Sequence, residues 1–275
     1  ESRLRMVHVE KTPPAMNPKK YALTLGVKAA KHEWLLLTDA DCRPLENSWI
    51  KSFSNAFTAE TVFVLGYSPY TSAPGMLNRF IRFETLVTAI QYLSFAMLGH
   101  PYMGVGRNLA YRKSFFLNVK GFNTLLPIMG GDDDLFVNRH SVGNNTRVVI
   151  GRDAQITSLP QRSWRDFWNQ KIRHLSVGKY YRFRHRLLLG VFGLTWILYC
   201  LILSMLVITQ TALLPVAIVF CLRLLTMVFA VNKAVKRLEY GFELVAVPVL
   251  DFMFAFYYLV AGLMALVSKK VRWKN

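Results

Sequence analysis

Cysteine is nearly absent from this sequence. Cys42, Cys200 and Cys221 are the only three in 275 residues, and their spacing forms no pair. Two of them sit inside apolar runs. A disulfide framework or a cysteine-based zinc site is therefore not expected, and a reduced, cytosol-facing catalytic part is the simpler reading. Acidic residues are also few, 16 Asp plus Glu against 34 Lys plus Arg, for a formal net charge of +18. Internal repeats and low-complexity tracts are missing, and no signal peptide is visible. The chain opens on Glu1 and passes quickly into the strand-like run Leu4-Arg5-Met6-Val7-His8-Val9. We expect a fragment whose first elements lie outside it.

The basic surplus raises nucleic acid as a partner. Its placement argues against that. Lys and Arg gather beside apolar text, at Arg182-Phe183-Arg184-His185-Arg186, at Lys233 with Lys236 and Arg237, and at Lys269-Lys270-Val271-Arg272-Trp273-Lys274. Cations flanking apolar spans anchor to anionic cytoplasmic lipid, and no nucleic-acid-binding signature accompanies them. Membrane lipid is the expected partner.

Hydrophobic residues make up 53% of the chain, with a mean hydropathy of +0.25, and they are unevenly spread. Residues 1–180 read as a mixed α/β domain large enough for one substantial core, and 181–275 as a membrane region. Spans are predicted near 187–210, 211–231 and 244–267, each long enough at about 1.5 Å per residue to cross a roughly 30 Å hydrocarbon layer. The second carries Pro215 and Arg223, the third Pro248 and Asp251. Only Thr209-Gln210-Thr211 separates the first two, which suits a hairpin with its tip on the far side. Basic segments before the first span and after the second place both of those ends on the cytoplasmic side. A third crossing would then export the basic tail. The third stretch is either re-entrant or interfacial, or it breaks the positive-inside rule.

In the first part, strand-like and helix-like text alternate, which predicts an α/β fold with a largely parallel sheet. A helix is expected over 18–31 and buried strands over 33–38 and 61–65. A long apolar helix is expected over 75–99, with Met76, Phe80, Phe83, Leu86, Leu93 and Phe95. It is either an ordinary core helix or one that lies on the membrane surface or closes the active site.

Two acidic clusters stand out against the basic background. The first ends an apolar run, Trp34-Leu35-Leu36-Leu37-Thr38-Asp39-Ala40-Asp41. In a regular strand, residues i and i+2 point to one face. Carboxylates held together repel unless a cation neutralises them. A hard divalent ion, Mg²⁺ or Mn²⁺, itself bound to a diphosphate, is the natural partner, with Asp39 and Asp41 as ligands. A strand followed by an acidic turn is the plainer alternative. The second cluster is Gly130-Gly131-Asp132-Asp133-Asp134-Leu135. One or two of these aspartates would cap a helix start. Three exceed what a cap needs, and a carboxylate whose pKa is raised by its neighbours can act as a general base at neutral pH.

A third constellation lies in Gln161-Arg162-Ser163-Trp164-Arg165-Asp166-Phe167-Trp168-Asn169-Gln170-Lys171-Ile172-Arg173-His174. On a helix Gln170, Arg173 and His174 fall at i, i+3 and i+4, on one face. Arginine offers a bidentate fork for phosphate oxygens, glutamine a neutral donor, and histidine a further donor or ring surface. The same segment also reads as a basic interfacial helix with Trp164 and Trp168 at headgroup level.

Taken in order, these segments resemble a membrane-bound family 2 glycosyltransferase of the nucleotide-diphospho-sugar transferase (GT-A) fold, the group that includes cellulose and hyaluronan synthases. Asn17-Pro18-Lys19-Lys20-Tyr21-Ala22-Leu23 resembles that family's Gly-Lys-x-x-Ala-Leu-Asn, and Thr38-Asp39-Ala40-Asp41-Cys42-Arg43-Pro44 its Asp-Ala-Asp-x-x-Pro metal signature. Gly104-Val105-Gly106-Arg107-Asn108-Leu109-Ala110-Tyr111-Arg112 is similar to Gly-x-x-Asn-x-Ala-x-Arg on the acceptor side, and Gly121-Phe122-Asn123 follows as a Gly-Gly-Phe-like turn. Gly131-Asp132-Asp133-Asp134-Leu135 resembles Glu-Asp-x-Asp-Leu, and Gln170-Lys171-Ile172-Arg173-His174 resembles Gln-x-x-Arg-Trp. Gly131 stands where that family has Glu, His174 where it has Trp, and Asn17 where it has Gly.

The resemblance implies a GT-A transferase domain, lacking its first strands, followed by membrane helices. It implies inverting, metal-dependent transfer from a nucleotide-diphospho-sugar, a UDP-sugar first among them, to a lipid-linked or saccharide acceptor at the cytoplasmic face. Asp132 takes the place of the catalytic base, with Asp133 and Asp134 beside it. Lys20, Asp39, Gln170, Arg173 and His174 fall on the donor side, Gly106 and Asn108 on the acceptor side, and Asp39 with Asp41 on Mg²⁺ or Mn²⁺. The alternatives are a processive polysaccharide synthase, and a non-catalytic membrane scaffold built on a degenerate transferase domain.

Overall fold

The computed structural model of the chain describes residues 4–14 and 16–267. In order they form α1 (Pro18–Ala29), β1 (Trp34–Leu37), β2 (Arg43–Pro44), α2 (Trp49–Ser54), β3 (Phe63–Leu65), α3 (Met76–Met97), β4 (Leu109–Arg112) and α4 (Lys113–Asn118). There follow α5 (Asp134–His140), β5 (Thr146–Val148), β6 (Ile156–Thr157), α6 (Trp164–Val177), α7 (Phe183–Ile208), α8 (Leu213–Arg237) and α9 (Val247–Val267). The architecture is mixed α/β, and among the described residues three helices are long and apolar enough to cross a membrane. The chain divides into two compact units, Glu1–Ser68 with Tyr92–Val149 and Asp153–Ile156, and Pro69–Gln91 with Ile150–Arg152 and Thr157–Asn275.

The first unit is built on a sheet of order β1-β4-β3-β5. β4 runs antiparallel to both neighbours and β3 pairs with β5 in parallel, so β1, β3 and β5 share one direction. The sheet is therefore mixed, parallel in three strands with β4 reversed between β1 and β3. Alternation along the strands supplies two faces. On one, Val64 and Ala110 pack with Trp49 and Phe53 of α2 and with Ile156. On the other, Phe63 and Tyr111 meet Phe136 of α5 at centroid separations of 5.7 and 5.3 Å. Phe136 also meets Phe116 and Phe122. That aromatic cluster seats α5, and with it the second acidic cluster, on the sheet. Residues 4–9, strand-like in sequence, form no strand and are exposed. An alternating pattern is not enough without a neighbouring strand to supply the ladder hydrogen bonds.

In the second unit α3 is a core helix, with Phe80, Ile81, Phe83, Leu86 and Val87 buried. Its Arg82 is buried too. It donates to Tyr240 Oη at 2.6 Å, to Ser72 Oγ at 3.0 Å and to the Gly241 carbonyl, holding the segment between α8 and α9. α7 and α8 form the expected hairpin around 209–211, and the two charges in its apolar surroundings find each other. Arg223 of α8 makes a bidentate pair with Asp251 of α9, and its guanidinium lies over Trp196 and Tyr199 at 4.7 and 4.4 Å. Pairing of this kind is what an ionisable group in an apolar span requires.

The same contacts fix the direction of α9. Asp251 lies at the level of Tyr199, Phe254 packs on Trp196 with centroids 4.8 Å apart, and Tyr258 faces Gly193. Moving forward along α9 means moving backward along α7. Hence α9 runs antiparallel to α7 and parallel to α8. The basic tail after 267 lies outside the described residues.

Candidate active site

A tight turn gathers the first acidic cluster. β1 ends at Leu37, so Asp39 and Asp41 do not share a strand face as expected. Instead the Cys42 amide donates to the Asp39 carbonyl at 3.1 Å and folds the segment back. Ligand atoms of Asp39, Asp41 and Cys42 then lie within 4.8 Å of one another. Two carboxylates are hard oxygen ligands and suit Mg²⁺ or Mn²⁺, while the soft Cys42 thiol adds little for such an ion. Asp41 is exposed, which leaves room for oxygens from a ligand.

Hydrogen bonds sort the second cluster. Gly131 has φ +75°, and a Cβ there would fall 2.5 Å from Leu135 Cδ1, so this turn into α5 needs glycine. Asp133 is the N-cap: Oδ1 accepts from the Asp134 amide at 2.8 Å and Oδ2 from the Gly106 amide at 2.7 Å. A Cβ on Gly106 would come within 3.0 Å of Asp133 Oδ2, so the close approach depends on glycine. Asp134 Oδ1 accepts from the Leu135 amide at 2.7 Å. Two of the three carboxylates are thus engaged by backbone amides at a helix start.

Asp132 differs. It is buried, and Lys19 Nζ stands 2.8 Å from its Oδ2. Burial and the neighbouring Asp133 charge push the Asp132 pKa up, and Lys19 pulls part of that shift back. Burial pulls Lys19 down, but the charges of Asp132, Asp133 and Asp39 more than reverse it, and the ammonium stays protonated. Lys19 therefore feels both acidic clusters.

Lys20, expected on the donor side, faces the other way. It is fully buried, and its Nζ donates to the carbonyls of Leu125 and Ile128 at 2.5 and 2.7 Å. Burial lowers its pKa from 10.5 to about 8. Its role is to tie α1 to the loop that leads into Gly130 and Asp132. Asn108, expected on the acceptor side, is also fully buried. Its Nδ2 donates to the Tyr67 and Ala154 carbonyls at 2.7 and 2.8 Å, and its Oδ1 accepts from Trp49 Nε1 at 2.9 Å. That makes Asn108 a node beneath the site. Gly106 reaches the acidic cluster through its amide.

In the second unit, Ser163 caps α6 by accepting from the Asp166 amide at 3.1 Å. Gln170 and Arg173 are half-buried and His174 is exposed. They occupy one face, as the spacing predicted, and burial lowers the Arg173 pKa.

A family model described as Glycosyl transferase family 21 matches residues 3–275. The chain belongs to glycosyl transferase family 21. The glycosyltransferase reading thus holds, and the family matched is 21 rather than that of the cellulose and hyaluronan synthases. No curated protein sequence matches the chain. Among solved structures it is similar to the mannosyltransferase PcManGT from Pyrobaculum calidifontis in complex with GDP-Man and Mn2+. The identity is 13%, over 91% of this chain and 67% of that one, with a TM-score of 0.52. At that identity the likeness is one of fold.

In this family 21 chain, the residue that the motif reading missed is Lys19. Counting back three positions from Ala22 puts Lys19, not Lys20, in the register of Gly-Lys-x-x-Ala. Helix geometry then separates the two lysines by roughly 100°. One turns into the protein and the other towards the carboxylates.

Proposed function

We propose that this glycosyltransferase moves a sugar, with inversion, from a nucleotide-diphospho-sugar to a hydroxyl of a lipid-linked or saccharide acceptor at the cytoplasmic face of a membrane. The observation that carries the reading is the sorting of the three aspartates. Asp133 and Asp134 serve backbone amides, while Asp132 is buried, raised in pKa and paired with a partly exposed lysine.

A carboxylate of raised pKa is a competent base for an acceptor hydroxyl. In the proposed step Asp132 takes the proton as the acceptor oxygen bonds to the anomeric carbon and the bond to the diphosphate oxygen breaks. A single displacement of this kind inverts the centre. Asp39 and Asp41 would hold Mg²⁺ or Mn²⁺, which when bound supplies positive charge for the departing diphosphate. Lys19 adds a partly exposed cation that feels both clusters. Arg173 offers its fork and Gln170 a neutral donor to phosphate oxygens, with His174 on the same face. The basic runs at 182–186 and 233–237 favour a cytoplasmic face for both ends of the α7–α8 hairpin.

The test is transfer by the chain in membranes with a panel of UDP- and GDP-sugars, with and without Mn²⁺ or Mg²⁺. GDP-mannose belongs in the panel because the fold neighbour is named with it. Metal-dependent release of nucleoside diphosphate, lost in Asp41→Ala, supports the reading. Product length separates single transfer from polymerisation. Silence across the panel from folded, inserted protein would favour a scaffold.

A further inference from the structure

Between Gln170 and Arg173 the sequence places a second cation, Lys171, and it faces inward. It is buried on α6, one helical turn after the fully buried Phe167. Its Nζ meets Glu84 Oε2 on α3, and Glu84 is buried as well. The other oxygen of that carboxylate, Oε1, accepts from Tyr257 Oη of α9 at 3.4 Å. One carboxylate therefore joins three helices: the one carrying the Gln-x-x-Arg-His face, a core helix, and an apolar helix of the membrane region.

Aromatic rings crowd this junction. Phe80 lies 5.7 Å from Phe167 and 5.8 Å from Tyr257, and Trp168 packs on Tyr257 at 5.7 Å, all between ring centroids. Apolar side chains alone could hold these helices together without fixing the rotation of α6 about its axis. A buried ion pair is directional and tolerates loss of one partner poorly. Neighbouring residues on a helix differ by roughly 100° in direction, so holding Lys171 on Glu84 also sets where Gln170 and Arg173 point.

We propose that Lys171 and Glu84, with Tyr257 completing the carboxylate's partners, are positioning residues that fix the rotational setting of α6. The proposal rests on the reading above, in which Gln170 and Arg173 engage the donor's diphosphate. Displacement of such groups by about 1 Å costs as much as a hundredfold in rate. The pair thereby makes donor binding depend on how α6 sits against a membrane-region helix.

The experiment is steady-state transfer by the full chain in membranes, with donor KM and acceptor KM measured separately and folding followed by thermal unfolding. Lys171→Met is expected to raise donor KM about tenfold while acceptor KM stays within about twofold. The exchanged pair Glu84→Lys with Lys171→Glu is expected to recover most of that loss. A folded Lys171→Met with wild-type donor KM overturns the proposal. If that variant does not fold, the doubly neutral Glu84→Gln with Lys171→Met decides. Both buried charges are then gone, and a wild-type donor KM shows the pair to be packing only, whereas a raised one supports positioning. Arg173→Ala separates the two layers of the argument. If it raises donor KM and the Lys171 variants do not, positioning alone fails; if it leaves donor KM unchanged, the assignment of the α6 face fails first.

Discussion

Lys19 and Asp132 form an ion pair of 2.8 Å in which the carboxylate is buried and the lysine side chain is 42% exposed. The asymmetry has a chemical meaning. The lysine reaches solvent, so a more negative group arriving nearby would compete with the buried carboxylate for it. Lys19 also feels Asp39 of the other acidic cluster, so a diphosphate near that cluster would compete with Asp132 for it. Departure of the lysine would raise the basicity of Asp132 just as an acceptor needs it.

Asp132→Asn should abolish transfer, with a loss on the order of a hundredfold to ten-thousandfold, and leave metal-dependent nucleotide binding largely intact. Its effect on stability has a definite sign. A carboxyl whose folded pKa is raised contributes stability only at low pH and loses it as pH rises through the folded pKa. The variant should therefore melt no lower than wild type at neutral pH. A melting temperature several degrees lower would recast Asp132 as a structural residue.

The two adjacent lysines should behave differently. Lys19→Met is expected to lower kcat/KM at least about tenfold, with a smaller loss of stability than Lys20→Met because the Lys19 side chain is 42% exposed. Lys20→Met is expected to destabilise the protein by about 2 kcal/mol or more, because two buried carbonyls lose their donor. Thermal unfolding alongside kinetics of both variants distinguishes these outcomes. A common phenotype would contradict the assignment.

Lys20 also gives a pH signature. Its folded pKa, about 8, lies below its ordinary 10.5. Between those values the unfolded chain binds more protons, so this group's contribution to stability grows as pH rises. The gap in melting temperature between wild type and Lys20→Met should widen from pH 7.5 to pH 9.5. A constant or shrinking gap would show that Lys20 is not held in this environment.

Asn108→Ala strands Trp49 Nε1 and two carbonyls in the core. At about 1–3 kcal/mol for each group left unsatisfied, a loss of about 3 kcal/mol or more is expected. Chemical denaturation of detergent-solubilised protein measures it. A stable variant with altered acceptor KM would return Asn108 to the acceptor side.

Much of this was legible residue by residue. The helix at 18–29, the long helix at 76–97 and the hairpin of apolar helices follow from periodicity, apolar length and cap residues, all local properties. The acidic clusters were visible because carboxylates are rare here. Local text could not reveal that β4 enters the sheet reversed, nor that residues 4–9 lack a strand partner, since pairing depends on distant neighbours. Asp39 and Asp41 were legible as a pair, but their meeting through a turn was not.

The sequence by itself determined the inventory: a mixed α/β part, apolar helices after it, and carboxylates and cations at spacings suited to nucleotide-sugar chemistry. Tertiary structure decided which member of each set was available. It put Asp133 and Asp134 on backbone amides and paired Asp132 with Lys19. It buried Lys20 and Asn108, joined Lys171 to Glu84, and turned α9 antiparallel to α7. The reason is physical. Composition and periodicity act over a few residues, whereas burial and partnership depend on groups brought together from far along the chain.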